Sequence, residues 1–395
     1  MQFAPPLTLL YTPRQEDIEL SMAVAMAALG GCVPTAMARD RLAAAPHPPR
    51  AGRGALTTWG GCRVGAPPLP ARPPPLTGRA AAGSFPRRPA ATSASATMAD
   101  HPAQVGGRHR HDLHIYIEDT DCFQVVYNAN YFKFFQRSLQ AAWGVGELAR
   151  LQRDEGITMR VVGVNRGKWA SPAGLGDVIT VETEVVACDG RTIRLNQAVL
   201  PQGSDKAHVS AELEVAFVDR GGGMVEVPKS LGISAPEGGA TAERDATAPL
   251  VSGGATIMET PVTVFADECG PDGRACEVAI LRWFERNRTD ILGGPSGLKG
   301  LQDQGVLAVV ALGGNMRFRP DLAPPAGAEA VVRSSVQFKR RNTTVVFRQE
   351  AWCEGELVAV ADITVMSIDS TAMKPVPCPE ETVARMVGLG ATGAA

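Results

Sequence analysis

None of the eight cysteines (32, 62, 122, 188, 269, 276, 353 and 378) forms a Cys-x-x-Cys pair. That excludes zinc-ribbon and thioredoxin-like chemistry and leaves scattered, reduced, mostly packed thiols. No run approaches about 18 consecutive apolar residues, so no membrane span is expected. The apolar segment Met22–Gly30 is short, and Glu16, Asp17 and Glu19 stand where a secretory signal needs basic residues. Histidine is scarce: six in all (47, 101, 109, 111, 114 and 208), of which only His208 falls well inside a region expected to fold. A Ser-His-Asp triad is therefore not expected, and Ser296 lacks the Gly-x-Ser-x-Gly frame of a nucleophile elbow. No His-Glu-x-x-His or other clustered ligand set occurs, so neither a metal nor another cofactor is predicted.

Charge is unevenly spread. Residues 1–110 hold 12 Arg, no Lys and five acidic residues, whereas the remainder holds 27 basic and 36 acidic residues. The part expected to fold is thus acidic, without the basic footprint of a nucleic-acid binder. Between 35 and 97 the chain is dominated by Ala, Pro, Arg, Gly and Ser, with Asp40 its only acid. Proline tracts such as Pro67-Pro68-Leu69-Pro70 cannot build a helix or central strand, and too little apolar surface is present to offset chain entropy. Residues 1–110 read as a disordered region. Their Arg-rich, acid-poor, Ser-containing composition suits a plastid or mitochondrial transit peptide, with plastid favoured because amphipathic helix character is poor. The alternative is a low-complexity tail with Met98 as the true start, which implies a cytoplasmic protein.

A length of 395 residues suggests two or more domains, and an internal repeat gives them. Strand-like runs occupy Asp112–Glu118, Met159–Trp169, Val178–Cys188, Thr192–Leu200 and Ala207–Val218. One helix interrupts them, with Tyr131, Phe134, Phe135, Leu139 and Ala142 at helical spacing. Asp189-Gly190 marks a hairpin, and His109-Arg110-His111 reads as surface tail before the first strand. The order returns as a strand at Thr256–Ala266, a helix carrying Ile280, Trp283, Phe284 and Ile291, then strands at Val306–Phe318, Ala328–Phe338, Thr343–Trp352 and Leu357–Ile368. Asn130-Tyr131 falls on Ala279-Ile280 and Gly156 on Gly305, each 149 residues on. Each copy is one strand, one helix and four further strands, a sheet able to wrap a helix with a wide apolar stripe. The segments are 1–110, a first domain 111–230, a linker 231–254, a second domain 255–378 and a tail 379–395.

The run Tyr116-Ile-Glu-Asp-Thr-Asp-Cys-Phe-Gln-Val-Val-Tyr-Asn-Ala-Asn-Tyr131 resembles the opening motif of hotdog-fold thioesterases similar to 4-hydroxybenzoyl-CoA thioesterase. Ser171-Pro-Ala-Gly-Leu-Gly-Asp177, leading into Val-Ile-Thr-Val, resembles the same family's turn into a central strand. The resemblance implies an α+β fold of two tandem hotdog domains, each an antiparallel sheet wrapped around a long helix, forming a pseudo-dimer. It implies an acyl-thioester hydrolase, with acyl-CoA or acyl-ACP as substrate. Further homodimerisation is expected as well, because hotdog enzymes usually work as dimers.

The resemblance places the catalytic carboxylate at Asp121, as base on water or as nucleophile, while Asp119 and Glu118 suit solvated positions or an orienting role in the loop. Amides at the start of the helix, near Ala129–Tyr131, are placed to stabilise an oxyanion. Two positions depart from the family pattern: Gln124 where Gly is usual, and Asn128 where His is frequent. An amide at 128 can orient a carbonyl or water but cannot move a proton. Tyr116 is expected to line the pocket together with Tyr131, which can also pack. The second copy has Gly270 in place of Asp121, Phe265 for Tyr116, Glu268 for Asp119 and Glu277 for Asn128. Some hotdog thioesterases use a helix Glu as base, which makes Glu277 a second catalytic candidate beside a capping role. One working site, walled by a degenerate half, is expected. Lys168, Lys339 and Arg340 are candidates for the substrate's phosphates, or else solvated cations. A non-catalytic acyl-binding protein with a decayed site remains the alternative, which Gln124, Asn128 and Gly270 favour.

Overall fold

The computed structural model describes residues 106–233, 250 and 252–394, all within one compact unit. The expectations for the N-terminal region up to 105, and for most of the 231–254 linker, lie outside the described residues.

The first strand, β1 (Arg108–His114), starts earlier than the sequence suggests and takes in His109-Arg110-His111 rather than leaving them as surface tail. The reason is electrostatic. β1 lies against β3 (Val178–Cys188) at the margin of the sheet, and Arg108 and Arg110 face Glu184 and Glu182 across the ladder at 3.4 Å each. A marginal strand needs little apolar content when its cross-strand pairs are of opposite charge. It also ends at His114, because Ile117–Asp119 closes into a 3-10 turn rather than extending the strand.

Helix α1 (Asn130–Trp143) follows, and its aromatic stripe is fully taken up: Tyr131, Phe132, Phe134, Phe135 and Leu139 are buried. Each such side chain contributes about 1.5–3 kcal/mol relative to exposure. Gly144, at φ 89°, ends the helix in a conformation that only glycine adopts freely. A short helix α2 (Val145–Arg150) leads to β2 (Thr158–Trp169), then β3, β4 (Thr192–Pro201), β5 (Val209–Val218) and the two-residue β6 (Met224–Val225).

The second half repeats the order as β7 (Met258–Thr263), α3 (Glu277–Ile291), α4 (Gly294–Asp303), β8 (Val306–Phe318), β9 (Glu329–Lys339), β10 (Thr344–Cys353) and β11 (Glu356–Asp369). The segment expected to be a tail instead forms α5 (Glu380–Gly388). Met386 of α5 is buried, and Thr392 beyond it exchanges backbone hydrogen bonds with Val336 and Phe338 of β9.

All strands join one antiparallel sheet in the order β1-β3-β4-β5-β2-β8-β11-β10-β9-β7, with β6 beside β5. At the central join, Gly163 faces Arg317, Val164 faces Met316, Gly167 faces Gly313 and Lys168 faces Leu312. Adding 149 to the β2 residue of each pair gives the β8 residue of another pair, so the join repeats itself under exchange of the halves. Arg166 and Asn315, also 149 apart, share a φ of 48° at this join. In both halves a buried Gln pins helix to sheet. Gln197 donates to Phe135 O and Thr183 Oγ1 (3.3 and 2.7 Å), and Gln349 to Phe284 O and Ser334 Oγ (2.9 and 3.1 Å).

Candidate active site

The run before α1 is built as a tight loop around two aspartates with different tasks. Asp119 is 1% exposed, not solvated as the sequence suggested. Its Oδ2 accepts the Tyr116 N–H (3.2 Å), and its carbonyl accepts from the Tyr127 N–H (3.1 Å) and the Asn130 side chain (3.0 Å). Arg137 lies 3.9 Å from its Oδ1. Asp119 therefore ties the loop to the head of the helix. Glu268 does the same in the second half, accepting from the Phe265 N–H, Trp283 Nε1 and Arg286.

Asp121 sits one turn further out, half-buried. Its N–H donates to Val125 O (2.9 Å), its carbonyl accepts the Gln124 N–H (3.0 Å), and its Oδ1 accepts the Phe123 N–H (2.8 Å). Burial raises its pKa above the usual carboxylate range, against the opposing effect of backbone donors at Phe123 and Val125. Gln124 takes a φ of 62°, and its counterpart Gly273 a φ of 75°, so the glutamine occupies a turn position shaped for glycine.

The two sequence motifs meet here. The Val126 N–H donates to Ala173 O (2.8 Å) and the Leu175 N–H to Gln124 O (2.9 Å), packing the turn at 171–177 against the Asp121 loop. The Tyr131 hydroxyl accepts the Ala173 N–H at 3.0 Å, and the ring is 2% exposed. Tyr131 thus clamps the two loops from behind rather than facing solvent. Burial raises its pKa. A Ser171–His208 hydrogen bond of 2.9 Å lies under the same turn, a contact that the lone histidine did not reveal. Burial lowers the His208 pKa, opposed by the charge of Asp177 and a hydrogen bond at Ser171. Tyr116 is 57% exposed and, with Ile117, Phe123 and Leu175, forms an apolar rim around the loop.

The opposite half approaches from the other side. The Asn128 side chain donates to Glu285 Oε2 (3.4 Å) on α3, and Arg282 donates to Asn130 Oδ1 (3.2 Å). Glu285 is also paired with Arg288. Arg282, Glu285 and Arg288 went unnoticed in the sequence, because charges on a helix read as a solvated face until a second helix packs against them. No side chain caps the start of α1 at Ala129; the Asn130 and Phe132 N–H groups bond the Tyr127 and Ala129 carbonyls.

Glu277 is the first residue of α3, at the position equivalent to Asn128, but it is 2% exposed and engaged. Arg160 of β2 pairs with both Glu277 and Asp272 and donates to Ala275 O at 2.7 Å, while Gln136 donates to Glu277 at 3.4 Å. Both Glu277 oxygens are thus taken up by protein partners, Oε1 by Arg160 and Oε2 by Gln136. Burial alone would lower the Arg160 pKa; the Glu277 and Asp272 charges outweigh it and raise it.

The cationic candidates are dispersed. Lys168 is half-buried in the central join, opposite Leu312. Lys339 and Arg340 are exposed at the β9–β10 hairpin. The carbonyl of Asn342 in that hairpin accepts the Cys378 N–H from the C-terminal segment, and none of the described contacts joins the hairpin to the Asp121 loop. Among the described residues no cluster of His, Cys, Asp and Glu is arranged to hold a metal, and no helix is long and apolar enough to cross a membrane.

Residues 115–234 match the sequence model of the thioesterase-like superfamily. No curated protein matches the chain in sequence. Among solved structures, the chain is similar to a candidate oleoyl thioesterase from Lactobacillus plantarum, at a TM-score of 0.52 and 8% identity over 66% of this chain and 97% of that one. It is also similar to the 12:0-ACP thioesterase from Umbellularia californica, at a TM-score of 0.50 and 10% identity over 66% and 94% of the two chains. At such identities the likeness shows the hotdog fold alone. Residues 115–234, the segment that carries both motifs, are similar to the thioesterase-like superfamily, which supports thioester hydrolysis as the class of reaction.

Proposed function

We propose that the protein is an acyl-thioester hydrolase built as two tandem hotdog units fused into an internal pseudo-dimer, with Asp121 as its base. The observation that carries this reading is the placement of Asp121. It is half-buried, with a raised pKa, fixed by backbone hydrogen bonds in a loop braced by the 171–177 turn, and it lies next to the start of α1. The repeated register across β2 and β8 supports the fused arrangement.

In this mechanism the Asp121 carboxylate takes a proton from water as the water oxygen attacks the thioester carbonyl carbon. The carbonyl electrons move to oxygen, where backbone amides at the start of α1 stabilise the charge. The C–S bond then breaks, and the thiolate leaves with the proton returned by Asp121, giving a carboxylic acid and a free thiol. Asn128 orients the carbonyl or the water, held from behind by Glu285. Direct attack by Asp121, forming an anhydride that water then cleaves, uses the same residues. The apolar rim of Tyr116, Ile117, Phe123 and Leu175 suits the acyl group or the pantetheine arm, because the α1 stripe itself is filled by core packing. The likeness to a 12:0-ACP thioesterase supports an acyl carrier protein as donor, alongside CoA. The Arg-rich composition of residues 1–110 supports import into an organelle.

Purified full-length protein is to be assayed against acyl-CoA and acyl-ACP panels. Asp121→Asn is expected to lower kcat/KM by at least about 100-fold, the usual range for a lost general base. Equal rates for variant and parent would remove Asp121 from the mechanism. Gln124 and Asn128 favour one competing reading, a binding protein; it would prevail if the parent bound acyl thioesters and hydrolysed none.

A further inference from the structure

We infer that the chain holds one acyl-thioester site rather than two, because the Arg160 side chain fills the second half's counterpart of the Asp121 site. This deepens the thioester reading above and rests on it. The 149-residue offset, which holds without interruption along β2 and β8, pairs two sets of positions. Phe123, Asn128 and Val309 make up one set; Asp272, Glu277 and Arg160 make up the other. Each set combines a loop and helix start from one half with a residue of the central strand from the other half.

In the second set Arg160 crosses the join and meets both carboxylates and the Ala275 carbonyl. The three side chains are between 1% and 4% exposed, so the space between the loop and the helix start is closed. The first set carries no such closure. Phe123 is 47% exposed, and Val309 brings a short, uncharged side chain to the position that Arg160 occupies. Every residue from Leu307 to Val310 is partly exposed, whereas three of their four counterparts, Thr158, Arg160 and Val161, are buried and only Met159 is partly exposed. The contacts between the helices follow the same exchange. Asn128 meets Glu285 on one side and Glu277 meets Gln136 on the other, the same pair of positions with amide and carboxylate reversed. One side therefore lines this space with an amide, an exposed Phe123 and a partly exposed Val309. The other turns the same space into a buried ion pair beside Gly270, which has no carboxylate to offer.

The test uses full-length protein and a non-hydrolysable thioether analogue of acyl-CoA, with binding stoichiometry read by calorimetry. The parent is expected to bind one equivalent per chain. Carrying the closed set into the open position, as Phe123→Asp, Asn128→Glu and Val309→Arg together, is expected to abolish binding while leaving the circular dichroism spectrum unchanged. The reciprocal variant, Arg160→Val, Asp272→Phe and Glu277→Asn, is expected to bind two equivalents. Two equivalents in the parent, parent-like binding by a folded first variant, or one equivalent in a folded second variant would each overturn the inference. If either variant does not fold, the parent stoichiometry and the other variant still decide. A parent that binds no analogue defeats the thioester reading itself, and the one-site inference with it; a parent that binds two defeats only the latter.

Discussion

As the proposed base, Asp121 would need its charged form to act on water, and burial makes that form harder to reach. The activity profile should therefore have an acid limb whose midpoint lies above the ordinary aspartate value of 3.8, with activity rising as pH rises through it. Stability carries the opposite sign. A carboxyl whose folded pKa is raised favours the folded state below its unfolded pKa, and that contribution is lost as pH rises through the folded pKa. Asp121→Asn should thus melt at a slightly higher temperature than the parent at neutral pH while losing activity, as thermal melts and rate assays on the same samples would show. Gln124 offers a second test. Replacing it with Gly removes a left-handed strain of about 1–2 kcal/mol and adds roughly 0.5–1 kcal/mol of glycine chain entropy. The midpoint of urea unfolding should rise slightly, and a fall would show that the glutamine side chain makes compensating contacts. The tight loop around Asp121 was legible in the sequence because its motif is local. The burial of Asp119 was not, because an acid in a turn reads as solvated until the Tyr116 and Tyr127 amides and the Asn130 side chain are seen to converge on it.

At the scale of elements, periodicity found the α1 stripe and most of the strands, since side-chain alternation survives in any sequence with one buried face. It started β1 four residues too late, because the head of that strand is ordered by Arg–Glu pairing across the ladder, and it missed α5, whose only buried residue is Met386. Arg160 shows why contacts between elements escape a reading along the chain: its partners lie 112 and 117 residues away. Arg160→Ala strands Asp272 and Glu277 without a counter-charge in a buried site, and should cost about 3–5 kcal/mol. Chemical denaturation would check this. A loss below about 1 kcal/mol, the level of an exposed pair, would mean that water replaces the guanidinium without penalty.

At the scale of the whole molecule, the repeat was legible because glycines at chain reversals, such as Gly156 and Gly305, recur with their spacing intact. The direction in which the halves meet was not, since it depends on β2 and β8 pairing across a join that neither segment encodes alone. Each half should be unstable when separated, because β2 or β8 would then present an unpaired edge. Co-expressed fragments ending and restarting within 234–249 should associate into a complex that co-elutes in size-exclusion chromatography. Independent, monomeric, well-folded halves would contradict the single continuous sheet.

The Arg160 ion pair has one more consequence, which concerns the choice of partner. The join between β2 and β8 is nearly self-complementary, so its backbone alone would accept two first halves or two second halves. Two first halves would bring Arg160 against Phe123 and Asn128, a buried cation with no carboxylate. Two second halves would bring Asp272 and Glu277 against Val309, two buried acids with no cation. Only a first half with a second half cancels the charge, so three side chains give an otherwise symmetric seam a sense of which strand belongs on which side.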